Sequence, residues 1–287
     1  MRKYLNPTYD LPFKRVFGEH KHLCISLINS MIPFDTGQEV VEIEYLSSEL
    51  VPALDLLKNS VVDVRCKDSA GRHFIVEMQL CWHDKFRKRV LHNASKVYSL
   101  QLEKGKKIEL LQPVFSLNFI NHIFEHSTEM ENEYLHHYKI VNILHTEKQI
   151  EGLEFIFVEL PKFKPENKAE KKLHELWMRF LTEIDEDTEE SPPELLACPE
   201  TKEALDYIER SAYTPEQLDS YLSHKVNASI VVEIQEEERR KGKEEGKAEL
   251  RIEVARKALA AGVPVETVAQ LTGLTTEQVI AIKQSHQ

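Results

Sequence analysis

Between Asp10 and Met31 the apolar residues Phe13, Phe17, Leu23, Leu27, Ile28 and Met31 recur at broadly helical spacing, which predicts one helix or two short ones. Extended patterns follow. Residues 40–46 predict a first strand, "SVVDVRCKD" a second and "RHFIVEMQLC" a third. The turn residues "DSAG" between the last two make them a hairpin. "HDKFRKRVLHNASKVYSLQLEKG" reads as a long helix closed by Gly105, a residue suited to the position just past a helix end. "PVFSLNFI", opened by Pro113, is a short apolar fourth strand. The order is helix, three strands, helix, strand.

The second half changes character. "YLHHYKIVNIL" and "LEFIFVEL" are strand-like, and a helix is expected from about Ala169 to Ile184. After the polar stretch "DEDTEESPPE" come two more helical segments, then a highly charged helix weakened by Gly242 and Gly246. The end, "GVPVETVAQLTGLTTEQVIAI", shows two short helices split by "TGLT", which resembles a helix-turn-helix. Lys283 is its one basic residue, so a packing or oligomerising unit competes with a groove-reading one.

Composition narrows the class. Hydrophobic residues at 41% and charged residues at 30% fit a globular protein and exclude a disordered chain. No apolar stretch approaches the ~18 residues of a membrane span, and "MRKYLNPTYD" lacks the apolar region of a signal peptide. Four cysteines without CxxC spacing are expected to be reduced thiols of a cytoplasmic protein, not a zinc site. The net charge of −11 argues against nucleic acid until it is divided. Residues 1–122 hold 17 Lys+Arg and 14 Asp+Glu, whereas residues 123–287 hold 20 and 34. The acidity lies in the second half, which leaves the first free to meet phosphates.

The predicted hairpin carries the chemistry. Glu77 and Gln79 share a strand face, and on the partner strand Asp63 shares a face with Val61 and Arg65. If the register aligns them, Asp63, Glu77 and Gln79 converge. Two buried carboxylates repel unless a cation lies between them, and a hard divalent ion such as Mg²⁺ would resolve that. The alternative is that Asp63 pairs with Arg65 or Arg72 across the hairpin and Glu77 faces solvent. The following helix adds Lys85, Arg87, Lys88, Arg89, Lys96, Lys104, Lys106 and Lys107 against one acid, Glu103. That is either a phosphate-binding stripe or an ordinary solvated face.

The element order, together with Asp63 and Glu77-Met78-Gln79, resembles the PD-(D/E)XK nuclease superfamily. "NPTYDLPFKRVFG", "IVEMQL", "SKVYSLQLEKG" and "PVFSLNF" resemble its Rpn branch, the recombination-promoting nucleases or PD-(D/E)XK nuclease family transposases found in bacteria. The likeness runs over about residues 5–285, with the first 120 residues its specific part. It implies an α/β restriction-endonuclease-like core, an α-β-β-β-α-β mixed sheet flanked by helices, with a helical C-terminal region. The expected organisation is a nuclease core over 1–160, a helical extension over 161–235, and a charged helix with a helix-turn-helix-like unit over 236–287.

The resemblance also implies roles. Asp63, Glu77 and the Met78 carbonyl would hold the metal, Mg²⁺ with Mn²⁺ as a possible substitute. Gln79 stands where the superfamily usually has lysine and cannot supply positive charge, so Lys14 is a candidate to do so. Asp10 matches an extra acidic residue of the first helix, and is also a sensible N-cap. Lys85, Arg87, Lys88, Arg89, Lys96, Tyr98 and Gln101 form the expected DNA-binding set, with core packing the other reading of Tyr98. The expected activity is Mg²⁺-dependent DNA endonuclease cleavage of low sequence specificity, linked to recombination, transposition or horizontal gene transfer. DNA is the expected partner, with no membrane, and a homodimer through the C-terminal helices is expected. The rival readings are a DNA-binding or protein-interaction module with a decayed site, and a defence nuclease activated by a partner.

Overall fold

The computed structural model describes residues 3–50, 60–80, 85–102, 107–165 and 172–284. It divides into two compact units, residues 1–226 and 227–287.

In the first unit the expected opening helix is two helical pieces. Helix α1 (Asp10–Phe13) runs straight into a π-turn over Lys14–Gly18, and α2 (Lys21–Met31) follows. Phe13, Val16, Phe17, Leu23, Leu27 and Ile28 are fully buried, so the apolar positions noted in the sequence are the packed face. The wider π-turn changes the helical phase, which buries both Val16 and Phe17 while Lys14 stays half-exposed.

A six-stranded mixed sheet packs on these helices. Its strands are β1 (Ile43–Tyr45), β4 (Val64–Asp68), β5 (His73–Gln79), β6 (Val114–Ile120), β7 (Leu135–Asn142) and β8 (His145–Glu159), in the order β1-β4-β5-β6-β8-β7. The hairpin expected from "DSAG" is the antiparallel pair β4 and β5, with Val64 opposite Val76 and Lys67 opposite His73. Its turn uses Gly71 at φ +86, and Asp68 binds both the Arg72 amide and its guanidinium. Strands β5, β6 and β8 run parallel, and every residue of β6 is buried, as a central strand covered on both faces requires.

One strand departs from expectation. "SVVDVRCKD" is not continuous but breaks at a bend on Asp63. Before it, β3 (Ser60–Val61) pairs with β2 (Glu49–Leu50) in a separate two-stranded sheet, so Val61 and Arg65 belong to different strands. The break has a cause: the Asp63 carboxylate accepts the Met78 N–H at 2.8 Å, just beyond the last paired residues of β4 and β5.

Helix α3 (Lys85–Leu100) crosses one sheet face, burying Phe86, Val90, Asn93, Ala94 and Val97 at helical spacing. It stops at Leu100, five residues before Gly105, which with Lys104 and Lys106 lies outside the described residues. On the far side of the sheet, α4 (Leu173–Glu183) places Trp177 at 5.3 Å from Phe17 and 5.7 Å from Phe180, its indole N–H on Ser26. Helices α5 (Pro193–Ala197) and α6 (Pro199–Tyr207) complete this layer.

Helix α7 (Pro215–Ala260) begins in the first unit and continues in the second. It passes through Gly242 and Gly246 without a break, supported by the i,i+4 pairs Glu237–Lys241, Arg240–Glu244 and Glu253–Lys257. In the second unit α8 (Val265–Thr272) and α9 (Thr276–Gln284) enclose Ala255, Val268 and Val279, with Gly273 at φ +70 turning one helix into the next. No described helix is long and apolar enough to cross a membrane.

Because Trp177 is fully buried against the π-turn that carries Lys14, Trp177→Ala should cost about 3–5 kcal/mol. Urea unfolding followed by circular dichroism measures this, and a loss below about 1 kcal/mol would show that α4 is not held by that contact.

Candidate active site

Strand β5 sends Glu77 and Gln79 to the sheet face covered by α3, because Ile75 of the same parity packs with Ala94 and Val97. Glu77 is buried, 4% exposed, so it does not face solvent. Asn93 donates to its Oε1 at 3.1 Å, and Arg89 reaches its Oε2 at 3.5 Å. Arg89 and Asn93 are four residues apart on α3 and therefore share a face.

Asp63 sits at the bend next to this position, its side chain 22% exposed. It does not pair with Arg65 or Arg72 across the hairpin. Arg72 is held by Asp68 at 2.7 Å, and Arg65 donates to the Ser47 carbonyl. Asp63 binds the Met78 amide instead, and Lys14 approaches its Oδ1 at 3.8 Å. Lys14 in turn holds Asp10 at 2.6 Å. Asp10 is the first residue of α1 rather than its N-cap, which is Tyr9. Its carboxylate is thereby free to meet Lys14 one turn later.

The electrostatics follow from burial. Desolvation pushes the Glu77 carboxyl above its ordinary range, Arg89 and Asn93 pull it back, and the Asp63 charge pushes it up again. Asp63 is likewise raised, by burial first, with the Met78 amide and Lys14 opposing and Asp10 adding to the rise. Each cation stands nearer to a different partner: Lys14 to Asp10 at 2.6 Å, Arg89 to the Gln79 carbonyl oxygen at 2.6 Å. Buried Glu77 and half-buried Asp63 are left undercompensated. An all-oxygen donor set with unbalanced negative charge fits a hard divalent cation. Among the described residues no cluster of three or more His, Cys, Asp or Glu side chains could hold a metal. A metal here would therefore have to complete its shell with water or main-chain oxygen.

The structure thus forms two sets of contacts, Asp10–Lys14–Asp63–Met78 and Glu77–Arg89–Gln79, which meet at the Glu77–Met78 peptide. Arg89 was grouped by sequence with the surface cations of the helix; it is exposed as they are, and its guanidinium also reaches Glu77 and Gln79. Asn93 was missed altogether. Its signal was present, a lone amide on the apolar stripe between Val90 and Val97. Lys85, Arg87 and Lys88 are exposed and Lys96 half-exposed; Arg87 lies 4.8 Å over the Phe124 ring. Tyr98 and Gln101 serve elsewhere, ~14 and ~18 Å along the helix from Arg89 at 1.5 Å per residue. Tyr98 packs with Leu153 and Phe155, and a Cβ at Gly152 would come within 3.3 Å of its hydroxyl. Gln101 exchanges two hydrogen bonds of 2.9 Å with the Gln112 main chain, pinning the entry to β6.

The comparison with protein families decides the kinship. A model for PD-(D/E)XK nuclease family transposases matches residues 7–229. The chain belongs to that family. Its mixed six-stranded sheet with flanking helices is the fold this membership requires, and the membership makes a nuclease linked to transposition the coarse functional class. Neither the curated proteins nor the solved structures gave a significant match.

Raised carboxyls mean that the folded protein holds these protons to higher pH than the unfolded chain. Stability is therefore lost as pH rises through the folded-state range. Asp63→Asn keeps the acceptor for Met78 and removes the charge. In metal-free buffer at pH 8 it should be more stable than the parent by on the order of 1 kcal/mol, with the gap closing toward pH 4. Urea midpoints at the two pH values check this, and a less stable variant at pH 8 would contradict it.

Proposed function

We propose that the protein is a metal-dependent endonuclease that hydrolyses DNA phosphodiester bonds with little sequence specificity. The observation that carries this reading is the pair of carboxylates, Glu77 buried and Asp63 half-buried beside it, held with their proton affinities raised and their cations at the margin. Asp63, Glu77 and the Met78 carbonyl would hold Mg²⁺, with Mn²⁺ able to replace it. The bound ion would lower the pKa of a water and polarise the scissile phosphate.

The chain's own residues do the rest. Asn93 fixes one oxygen of Glu77, and the Met78 amide fixes one oxygen of Asp63, so both carboxylates are oriented before any ion arrives. Lys14 and Arg89 supply the positive charge that Gln79 lacks. Arg89 donates to the Gln79 carbonyl oxygen, which sets the orientation of its amide. Lys14 lies between Asp10 and Asp63, placed to stabilise a developing anion or shuttle a proton. This second source of charge speaks against the reading of a decayed site, because Gln79 is accompanied by two cations.

Glu77→Gln and Asp63→Asn should each lower plasmid nicking in Mg²⁺ at least ~100-fold, and EDTA should stop the parent. Cleavage by both variants at the parent's rate, or cleavage in EDTA, would sink the assignment.

Backbone contact would fall to the exposed cations of α3. Replacing Lys85 and Lys88 together by Gln should weaken binding to two unrelated duplexes alike, and should flatten log K against log salt by about 0.9 per lost phosphate contact. Arg89→Gln, by contrast, should lower cleavage more than binding, since its guanidinium serves Glu77 and Gln79. A salt titration of each variant separates the two roles. Equal slopes for the parent and the double variant would return Lys85 and Lys88 to the solvated surface.

A further inference from the structure

A second feature lies on the same sheet face, at the other end of α3. A cavity of about 390 Å³ is bounded by the starts of β5 and β6, the middle of β4 and the last turn of α3. Arg65, Lys67, His73 and Lys107 line it, along with leucines and the amides of Gln101 and Gln112, and among the described lining residues there is no carboxylate. Register explains the grouping: Lys67 lies opposite His73 and Arg65 opposite Ile75, so all project to the α3 side. His73 is four residues before Glu77 on one strand, ~13 Å away at 3.3 Å per residue.

Two buried donors here lack a protein partner. The Arg65 Nε and the His73 Nδ1 are both covered and unsatisfied, and His73 is only 9% exposed. Buried polar atoms are almost always paired, so two orphans at one cavity call for an acceptor. Glu44 and Asp68, the carboxylates at neighbouring positions, are committed to Lys67 at 2.9 Å and Arg72 at 2.7 Å. Burial and the adjacent Arg65 and Lys67 charges hold the imidazole neutral, its pKa pulled down to about 4. A further cation in the cavity is therefore disfavoured, and an anion is what the surroundings lack.

We propose that this cavity binds a phosphate group, with the Arg65 guanidinium as its principal ligand, the His73 ring as a hydrogen-bond donor in its Nδ1–H tautomer, and Lys107 at the rim. The phosphate comes either from a nucleic-acid backbone that runs on from the candidate active site or from a free phosphorylated small molecule. The proposal goes beyond the nuclease reading and does not depend on it.

The test uses the full chain carrying Asp63→Asn, in EDTA, so that neither cleavage nor metal binding enters. Inorganic phosphate, a mononucleotide and a short duplex are each titrated calorimetrically, with and without Arg65→Gln or Lys107→Gln. Lys107 is exposed, so its substitution leaves the fold intact should Arg65→Gln fail to fold. Saturable binding of inorganic phosphate or the mononucleotide, weakened at least tenfold by Arg65→Gln or severalfold by Lys107→Gln, supports the site and a free-phosphate source. Duplex binding that inorganic phosphate displaces, and that either substitution weakens, supports it with a backbone source. Absence of binding by all three probes, binding that neither substitution weakens, or duplex binding indifferent to phosphate with no binding of inorganic phosphate or the mononucleotide overturns it.

Discussion

The hydrogen bond from the Met78 amide to the Asp63 carboxylate is the constraint on which the candidate site is built. It ends the ladder between β4 and β5, bends the chain at Asp63, and turns a strand residue into a fixed carboxylate beside Glu77. A continuous strand would have spent the Met78 N–H on a carbonyl. The cost of desolvating the two acids is then partly offset by elements from elsewhere: α1 and its π-turn bring Lys14, and α3 brings Arg89 and Asn93. Remove that hydrogen bond and the carboxylate has no reason to stay where the cations are aimed.

The packing layers serve this arrangement. Trp177 and Phe180 press on Phe17, which holds the π-turn against the sheet, so Lys14 is positioned by an aromatic cluster it does not touch. On the opposite face, Phe86, Val90, Ala94 and Val97 seat α3 and thereby set Arg89 and Asn93 over Glu77. Gln101 fixes the far end of the same helix through the Gln112 main chain. A helix tied at both ends can hold a charged group at hydrogen-bond distance, whereas one tied at a single end would fray away from it.

The same helix also organises charge along the sheet face. Near its start it meets an excess of negative charge, where a divalent cation fits. At its end it caps a cavity lined by Arg65, Lys67 and His73, where an anion fits. The acid-rich second half of the chain brings the total to −11. Net charge is thus a poor guide to partners here, because it averages over units with different composition.

Much of the fold was legible in the sequence. Alternation and helical spacing are local properties, and they located α2, β5, α3 and β6, while "DSAG" fixed the hairpin because turn chemistry acts over four residues. The shared face of Glu77 and Gln79 was also visible, being set by parity along β5, whereas Asp63 lies at a bend that strand parity does not describe. What the sequence could not show was any feature decided by two segments meeting. The break at Asp63 depends on an amide fifteen residues later, and the contact of exposed Arg89 with Glu77 depends on which side of α3 faces that carboxylate. The task of Gln101 depends on a loop it meets only after folding. The charged helix through Gly242 and Gly246 was legible too, and ion pairs one turn apart counter part of the cost of its glycines. Sequence determined the elements and the residue types that carry charge. Tertiary structure alone decided which charges are buried together, because burial and distance, not spacing along the chain, set how strongly they act on one another.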